Sequence, residues 1–430
     1  MTYLCSKVNK MKEIVLSHRA ERDELIAGRY IPREGCQEAR KSIQSDLVQV
    51  VMGPRRAGKS VFSIQMLKGI DFAYLNFDDE RLVSISDYDE LLKAVRQVYG
   101  ETKVVFFDEI QNLRNWELFV NSLHRRGFKL IITGSNAFLL SRELSTHLTG
   151  RTVPFQIFPF SFSEFLKARG FAIDETLGLK ERQGVLLSYL DKYLDKGGYP
   201  EIIVKDLDAK NYLTTLFESV LFKDIVKRYN VRYTKKLYDL AHYLITNHSN
   251  EFSYTKIKNI LEFRSVHTVE NYTDYLNEAY LTFQIDRFSF KLREQLRSPK
   301  KLYAYDNGMI HAIKFKTGRD IGRLLENLVA VELTKRGADL YYYKSTNGKE
   351  VDFVIKQGSE IDQLIQVCYD LGDYSTRKRE LAALVKAGKE LRCNNLTIYT
   401  WDSMAEETHA GSRVSFIPLW RWLIGYKQEK

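Results

Sequence analysis

Apolar residues in the first 160 positions gather into five short runs separated by polar and glycine-bearing stretches. LVQVVM (residues 47–52), FAYLNF (72–77), KVVFFDE (103–109), KLIITGSN (129–136) and TVPFQIFPF (152–160) have the length and near-continuous hydrophobicity of strands buried on both faces. Between the first two, Val61, Ile64, Met66 and Leu67 recur at helical spacing. Strands alternating with helices predict a parallel α/β sheet. Over residues 205–285 the period becomes helical, notably at Leu237, Leu240, Ala241, Leu244 and Ile245. Three helical pieces, KLYDLAHYLITNH, YTKIKNILE and VHTVENYTDYLNEAYL, are followed by TFQIDRFSF and KKLYAYD, which pattern as a β hairpin. After Gly308 comes a second α/β series: the helix LLENLVAVELTKRG, the strands DLYYYKS, EVDFVIKQ and LIQVCY, and the helix TRKRELAALVKAGKEL. The expected domains are residues 1–204, 205–307 and 308–430.

A chain of 430 residues is too long for one ordinary core, and its 44% hydrophobic content is enough for several. The formal net charge of +10 favours anionic partners. Four cysteines without paired or metal-like spacing suit a reducing compartment. No run approaches the roughly 20 apolar residues of a membrane span, and the first residues lack the apolar core of a secretory signal. A cytoplasmic protein with no membrane association is expected.

The chemistry concentrates after the first strand. Gly53, Pro54, Arg55, Arg56, Ala57, Gly58, Lys59 and Ser60 fit G-x-x-x-x-G-K-[ST], set between a strand and a helix as that motif requires. Glycines let backbone N–H groups converge on phosphate oxygens, and the helix start adds its dipole. Lys59 is expected to hold β and γ phosphates, and Ser60 to offer a hydroxyl to Mg²⁺. The third strand ends in two carboxylates. Asp108 suits Mg²⁺, and Glu109 suits orientation or deprotonation of an attacking water. The fourth strand ends in Ser135 and Asn136, where a polar side chain can sense the γ phosphate.

GPRRAGKS, FFDEIQN, ITGSNAFLLSRELSTHLTGR, FPFSFSEF, GGYPE, ENLVAVEL and EVDFVI together resemble the AAA+ ATPases, and within them a prokaryotic group with a C-terminal domain related to restriction endonucleases. The resemblance implies ATP binding and hydrolysis with Mg²⁺. It also implies an arginine that approaches the nucleotide, its own or that of a neighbouring subunit in a homo-oligomer. Arg151 is the first choice, with Arg55, Arg56 and Arg142 as alternatives. GGYPE reads as a helix stop and turn, and by resemblance Pro200 leads a lid segment.

The middle segment resembles a winged helix. From Ile225 to Lys301 it carries fourteen Lys and Arg against eight Asp and Glu, with Arg287, Lys291, Arg293, Arg297, Lys300 and Lys301 in the wing. Duplex DNA is one expected partner, read by the helix over residues 265–281, and a protein is the other. The last segment resembles the PD-(D/E)xK nuclease fold. Glu326 and Asp352 match two carboxylate positions and Glu350 is a possible third, but Gln366 and Cys368 stand where the carboxylate and lysine belong. Lys378 is a candidate replacement for the lysine. The expected function is an ATP-dependent switch acting on a protein or nucleic acid, with a nuclease-like domain that does not cut. The alternatives are an ATP-regulated nuclease and a non-hydrolysing nucleotide-binding scaffold.

Overall fold

The computed structural model describes residues 2–426 apart from 84, 86, 136–147, 149, 315–319, 346 and 373, and describes 2–9 by backbone alone. Its chain divides into two compact units, Met1–Phe158 and Pro159–Lys430. Among the described residues no helix is long and apolar enough to cross a membrane.

The first unit holds five parallel strands: β1 (Val48–Met52), β2 (Ala73–Asn76), β3 (Val104–Asp108), β4 (Lys129–Gly134) and β5 (Thr152–Gln156), in the order β2-β3-β4-β1-β5. All five residues of β1 are buried, as expected of a central parallel strand covered on both faces. The covering helices include α1 (Thr2–Ala27), α2 (Lys59–Met66), α3 (Tyr88–Tyr99) and α4 (Trp116–Arg125). Asp87 caps α3 by accepting from the amides of Asp89 and Glu90, and its residues Leu91, Leu92, Val95 and Val98 form the buried stripe. Because every strand runs the same way, the loops after β1, β3 and β4 open at one end of the sheet, where ligands of open α/β sheets bind.

The second unit, after a short helix at Phe162–Ala168, carries helices α5 (Lys180–Lys196) and α6 (Ala209–Ser219). There follow α7 (Thr234–Thr246), β6 (Asn250–Phe252), α8 (Tyr254–Ile260), α9 (Val266–Glu278), β7 (Thr282–Arg287), the short α10 (Leu292–Arg297) and β8 (Lys300–Ala304). After α11 (Asn307–Ile313) and α12 (Ile321–Lys335), the strands β9 (Asp339–Lys344), β10 (Glu350–Gln357), β11 (Glu360–Cys368), β12 (Leu396–Thr400), β13 (Ala405–His409) and β14 (Ser412–Pro418) surround α13 (Tyr374–Leu391). The expected hairpin of β7 and β8 forms, and β6 pairs with β8. Asp286 and Arg287 of β7 also pair in parallel with Tyr341 and Tyr342 of β9, so that nine strands form one sheet in the order β13-β14-β12-β11-β10-β9-β7-β8-β6. The expected boundaries at 204 and 307 both fall inside this unit, and the pairing of β7 with β9 crosses the second of them.

Candidate functional site

β1 enters its loop at Gly53, whose φ is 148°. A Cβ there would stand 1.9 Å from the carbonyl oxygen of Ile157, at the end of β5. Only glycine lets the backbones run this close. Beyond it, Arg56 at φ 65° and Gly58 at φ 91° turn the chain through left-handed conformations. Ala57 N–H closes the loop on Pro54 O at 3.2 Å. Lys59 and Ser60 then begin α2, whose N-terminus points its dipole at the loop. Arg33 braces the loop from outside. It is buried, and its guanidinium donates to Ala57 O and to Phe158 O, each at 2.7 Å.

Lys59 is 4% exposed; its ammonium lies 3.3 Å from Pro54 O and 3.2 Å from Glu109 Oε1. Asp108 ends β3, with Oδ1 accepting a close hydrogen bond from Thr133 Oγ1 and Oδ2 accepting from Tyr74 at 3.2 Å. Burial pushes the Asp108 carboxyl up to about 6; the Glu109 charge adds to the rise, while Thr133, Ser60 and Lys59 oppose it. Glu109 adopts a left-handed turn at φ 50°, and its N–H donates to Thr133 Oγ1 at 2.9 Å. Burial alone would raise the Glu109 carboxyl, but Lys59, the Gln111 amide and Arg55 hold it below its ordinary value. The sheet thus unites Lys59, Ser60, Asp108 and Glu109: a cation, a hydroxyl and two carboxylates at the mouth of a glycine-bearing loop. A hydroxyl and a carboxylate are hard oxygen donors of the kind Mg²⁺ takes.

A cation, a hydroxyl and two carboxylates around a glycine-bearing loop are groups that suit a nucleoside triphosphate with Mg²⁺. Residues 45–166 match the AAA domain family, residues 187–320 a domain of unknown function, DUF8612, and residues 321–422 another, DUF4143. The uncharacterized protein MJ1544 of Methanocaldococcus jannaschii is 37% identical over 400 residues, 88% of this chain and 88% of that protein. An uncharacterized protein of Haemophilus influenzae is 32% identical over 345 residues, 76% of this chain and 84% of that protein. The chain belongs to one family with these proteins. Its P-loop lies within the residues that match the AAA domain family. Among solved structures, the Walker-type ATPase PABY2304 of Pyrococcus abyssi has a TM-score of 0.44 at 15% identity, over 66% of this chain and 96% of that one. AMPPCP-bound DnaA from Aquifex aeolicus has a TM-score of 0.26 at 16% identity, over 58% and 90%.

The remaining site residues of the ATPase unit divide. Ser135, at the end of β4, is 2% exposed and its hydroxyl has no hydrogen-bond partner among the described residues. Asn136 and Arg142 lie outside the described residues. Arg55 stands 3.8 Å from Asp78, and Arg56 sits at the turn of the loop. Arg151 is at the other end of the sheet. Its carbonyl accepts from Val48 N–H at 2.8 Å, which sets it beside the start of β1, about 16 Å from Gly53 at ~3.3 Å per strand residue. The Arg151 side chain cannot bridge that gap to the phosphates of its own loop. Glu21 of α1 went unread in the sequence: it accepts from Tyr74 at 3.1 Å and from Asn76 at 2.9 Å, so that Tyr74 lies between Glu21 and Asp108. α1 shows no apolar stripe that would have announced this packing.

In the second unit, GGYPE is occupied structurally. Gly197 turns the chain after α5, Gly198 N–H donates to the buried Asp306 at 2.7 Å, and Pro200 opens a six-residue helix. The wing reading needs two corrections. Lys300 forms a close ion pair with Asp286. Lys301 is 2% exposed and lies 2.9 Å from Glu326, 2.5 Å from Glu350 and 3.5 Å from Asp352. Burial would lower the Lys301 ammonium, but Glu326, Asp352 and Glu350 together lift it well above its ordinary value. Burial and the Glu326 charge raise Asp352 well above the carboxylate range. Among the described residues no cluster of three or more His, Cys, Asp or Glu is arranged to hold a metal ion, and here the three carboxylates close on an ammonium instead. Gln366 is equally committed: its carbonyl accepts from Asp352 N–H at 3.2 Å, and its amide donates to Glu380 at 2.6 Å.

Proposed function

We propose that the chain hydrolyses ATP to ADP and phosphate at the P-loop of its first unit and uses the cycle as a switch on a macromolecular partner. The observation that carries this reading is the ionised Glu109 held 3.2 Å from Lys59 beside the buried Asp108. Lys59 cannot serve Glu109 and a triphosphate equally. Arriving phosphates take the ammonium as their counter-ion and release the carboxylate. The freed Glu109 can accept the proton of a water whose oxygen attacks the γ phosphorus, while the bond from that phosphorus to the β–γ bridging oxygen breaks. Ser60 and Asp108 would hold Mg²⁺, which supplies charge neutralisation on the phosphates. Ser135, buried with a hydroxyl that has no partner among the described residues and next to Asn136 in sequence, supports a γ-phosphate sensor at the end of β4.

The test is Glu109→Gln. It removes the base and the competitor for Lys59 together, so a fluorescent ATP analogue should bind more tightly while phosphate release falls at least ~10²-fold. Lys59→Ala should lose affinity instead. Hydrolysis at the parent rate in Glu109→Gln refutes the role of Glu109 and favours the scaffold reading. In a homo-oligomer, Arg151 of one copy would serve the phosphates of another, since its own loop is out of reach. Mixing Lys59→Ala with Arg151→Ala then restores activity, and a verified mixed oligomer that stays inactive counts against it.

For the second unit we propose a binding role without cleavage. The order helix, strand, two helices and hairpin from α7 to β8 supports a winged helix. Its α9, however, exposes Glu270 and Asp274, a poor match to the phosphates flanking a major groove. The nuclease-like reading retains Glu326 and Asp352, but both are engaged with Lys301.

A further inference from the structure

A groove of about 700 Å³ runs between the β7–β8 connection and the C-terminal end of β9, lined by Arg287, Phe290, Arg293, Arg297, Tyr343 and Lys344, among others. Its charges do not cancel. Lys344 is neutralised by Glu251 at 2.6 Å, and the acids Glu294 and Glu390 have their own cations in Lys291 at 3.1 Å and Lys386 at 3.6 Å. Arg287 donates to the Lys344 carbonyl and so keeps its charge. Arg293 and Arg297, one turn apart on α10, have no ion pair among the described residues and are exposed. Arg293 and Arg297 are therefore left without an ion pair among the described residues in one concave surface, with Arg287 adding a third positive charge. Beside them Phe290 is 76% exposed, held edge to face against Phe288 with ring centroids 5.1 Å apart.

We infer that this groove binds single-stranded nucleic acid, with Arg293 and Arg297 on phosphates and Phe290 stacked on a base. Arginines interleaved with an exposed ring are the recurring means of holding a flexible strand, because every base offers a π face and every linkage a charge. A duplex keeps its base faces inside the stack and leaves Phe290 with nothing to cover it. The inference deepens the partner half of the proposed function and does not depend on hydrolysis.

Fluorescence anisotropy of the full chain with a labelled oligothymidylate of about 20 nucleotides, longer than the ~4–16 one such site covers, is the test. The parent should prefer it to a duplex of equal length. Arg293→Ala with Arg297→Ala should flatten the slope of log affinity against log salt by about 1.4, at ~0.7 per lost phosphate contact on a single strand. Phe290→Ala should weaken binding about tenfold with the slope unchanged, and Phe290→Trp should restore it. All three positions are exposed, so folding is retained, which circular dichroism verifies. Lys59→Ala should bind the oligonucleotide like the parent, separating failure here from failure of the ATPase reading. Absence of binding, equal or tighter duplex binding, or affinity untouched by these changes overturns the inference. Displacement by polyglutamate at equal charge concentration also overturns it, in favour of an acidic protein.

Discussion

Replacing Lys301 with Met removes one buried ammonium and leaves Glu326, Glu350 and Asp352 facing one another across the space it filled. Deleting one member of a buried ion cluster costs roughly 3–5 kcal/mol, because the charges left behind are already out of water. At ~2–4 °C per kcal/mol for a unit of this size, the melting transition should fall by about 6–20 °C. The loss must depend on pH in a definite direction. Without the ammonium, Asp352, which burial and the Glu326 charge already hold well above its ordinary value, is raised further, so the variant's stability declines as pH rises through the interval between its unfolded and folded values. The gap to the parent should be wider at pH 8 than at pH 5. Thermal unfolding of the full chain followed by circular dichroism measures both. Glu326→Gln adds a sign test: it should destabilise the parent by breaking the 2.9 Å pair, yet stabilise the Lys301→Met chain by removing a repelling charge. A melting shift under about 2 °C, or Glu326→Gln acting with the same sign in both backgrounds, would refute the reasoning.

Gly53→Ala should abolish nucleotide binding, since the added methyl meets a backbone oxygen at 1.9 Å that cannot rotate away; binding of a fluorescent ATP analogue checks this. His248 is buried with no partner for Nε2 among the described residues, and burial lowers its pKa to about 4. Since the unfolded chain binds the proton first, stability is lost as pH falls from about 6.5 towards 4, by up to ~3 kcal/mol. Urea denaturation at pH 7 and pH 4.5 should show a smaller difference for His248→Asn than for the parent. The full chain with Mg²⁺ or Mn²⁺ should leave single- and double-stranded DNA and RNA intact, with or without ATP. Cleavage that copurifies with the parent and vanishes in Asp352→Ala would reverse this reading.

The P-loop and its carboxylates were legible because their geometry is local: a strand, eight loop residues, a helix start, and a second strand ending in two acids. The five parallel strands followed from apolar runs short enough to be strands and too continuous to be half exposed. What escaped was set by distance along the chain. Lys301 reads as one more charge in a basic wing, and nothing near it in sequence shows that its partners lie on α12 and β10. Arg33 and Glu21 were missed for the same reason, each being a single polar residue whose partner is on another element. The reach of one sheet through residues 250–418 was hidden because β7 pairs with β9 across three helices and the strand β8.

Thr133 has a consequence for how the ATPase site can move. Its one hydroxyl donates to the side chain of Asp108 and accepts from the backbone of Glu109. Sliding of β4 against β3 would pull on both acids through a single atom and carry them in the same direction. Their mutual spacing is thereby insulated from such motion, while their position relative to Lys59, which rides on α2, is not. A mechanical signal arriving along β4 would act as a clutch between strand and helix, changing engagement with the phosphates without distorting the acid pair itself.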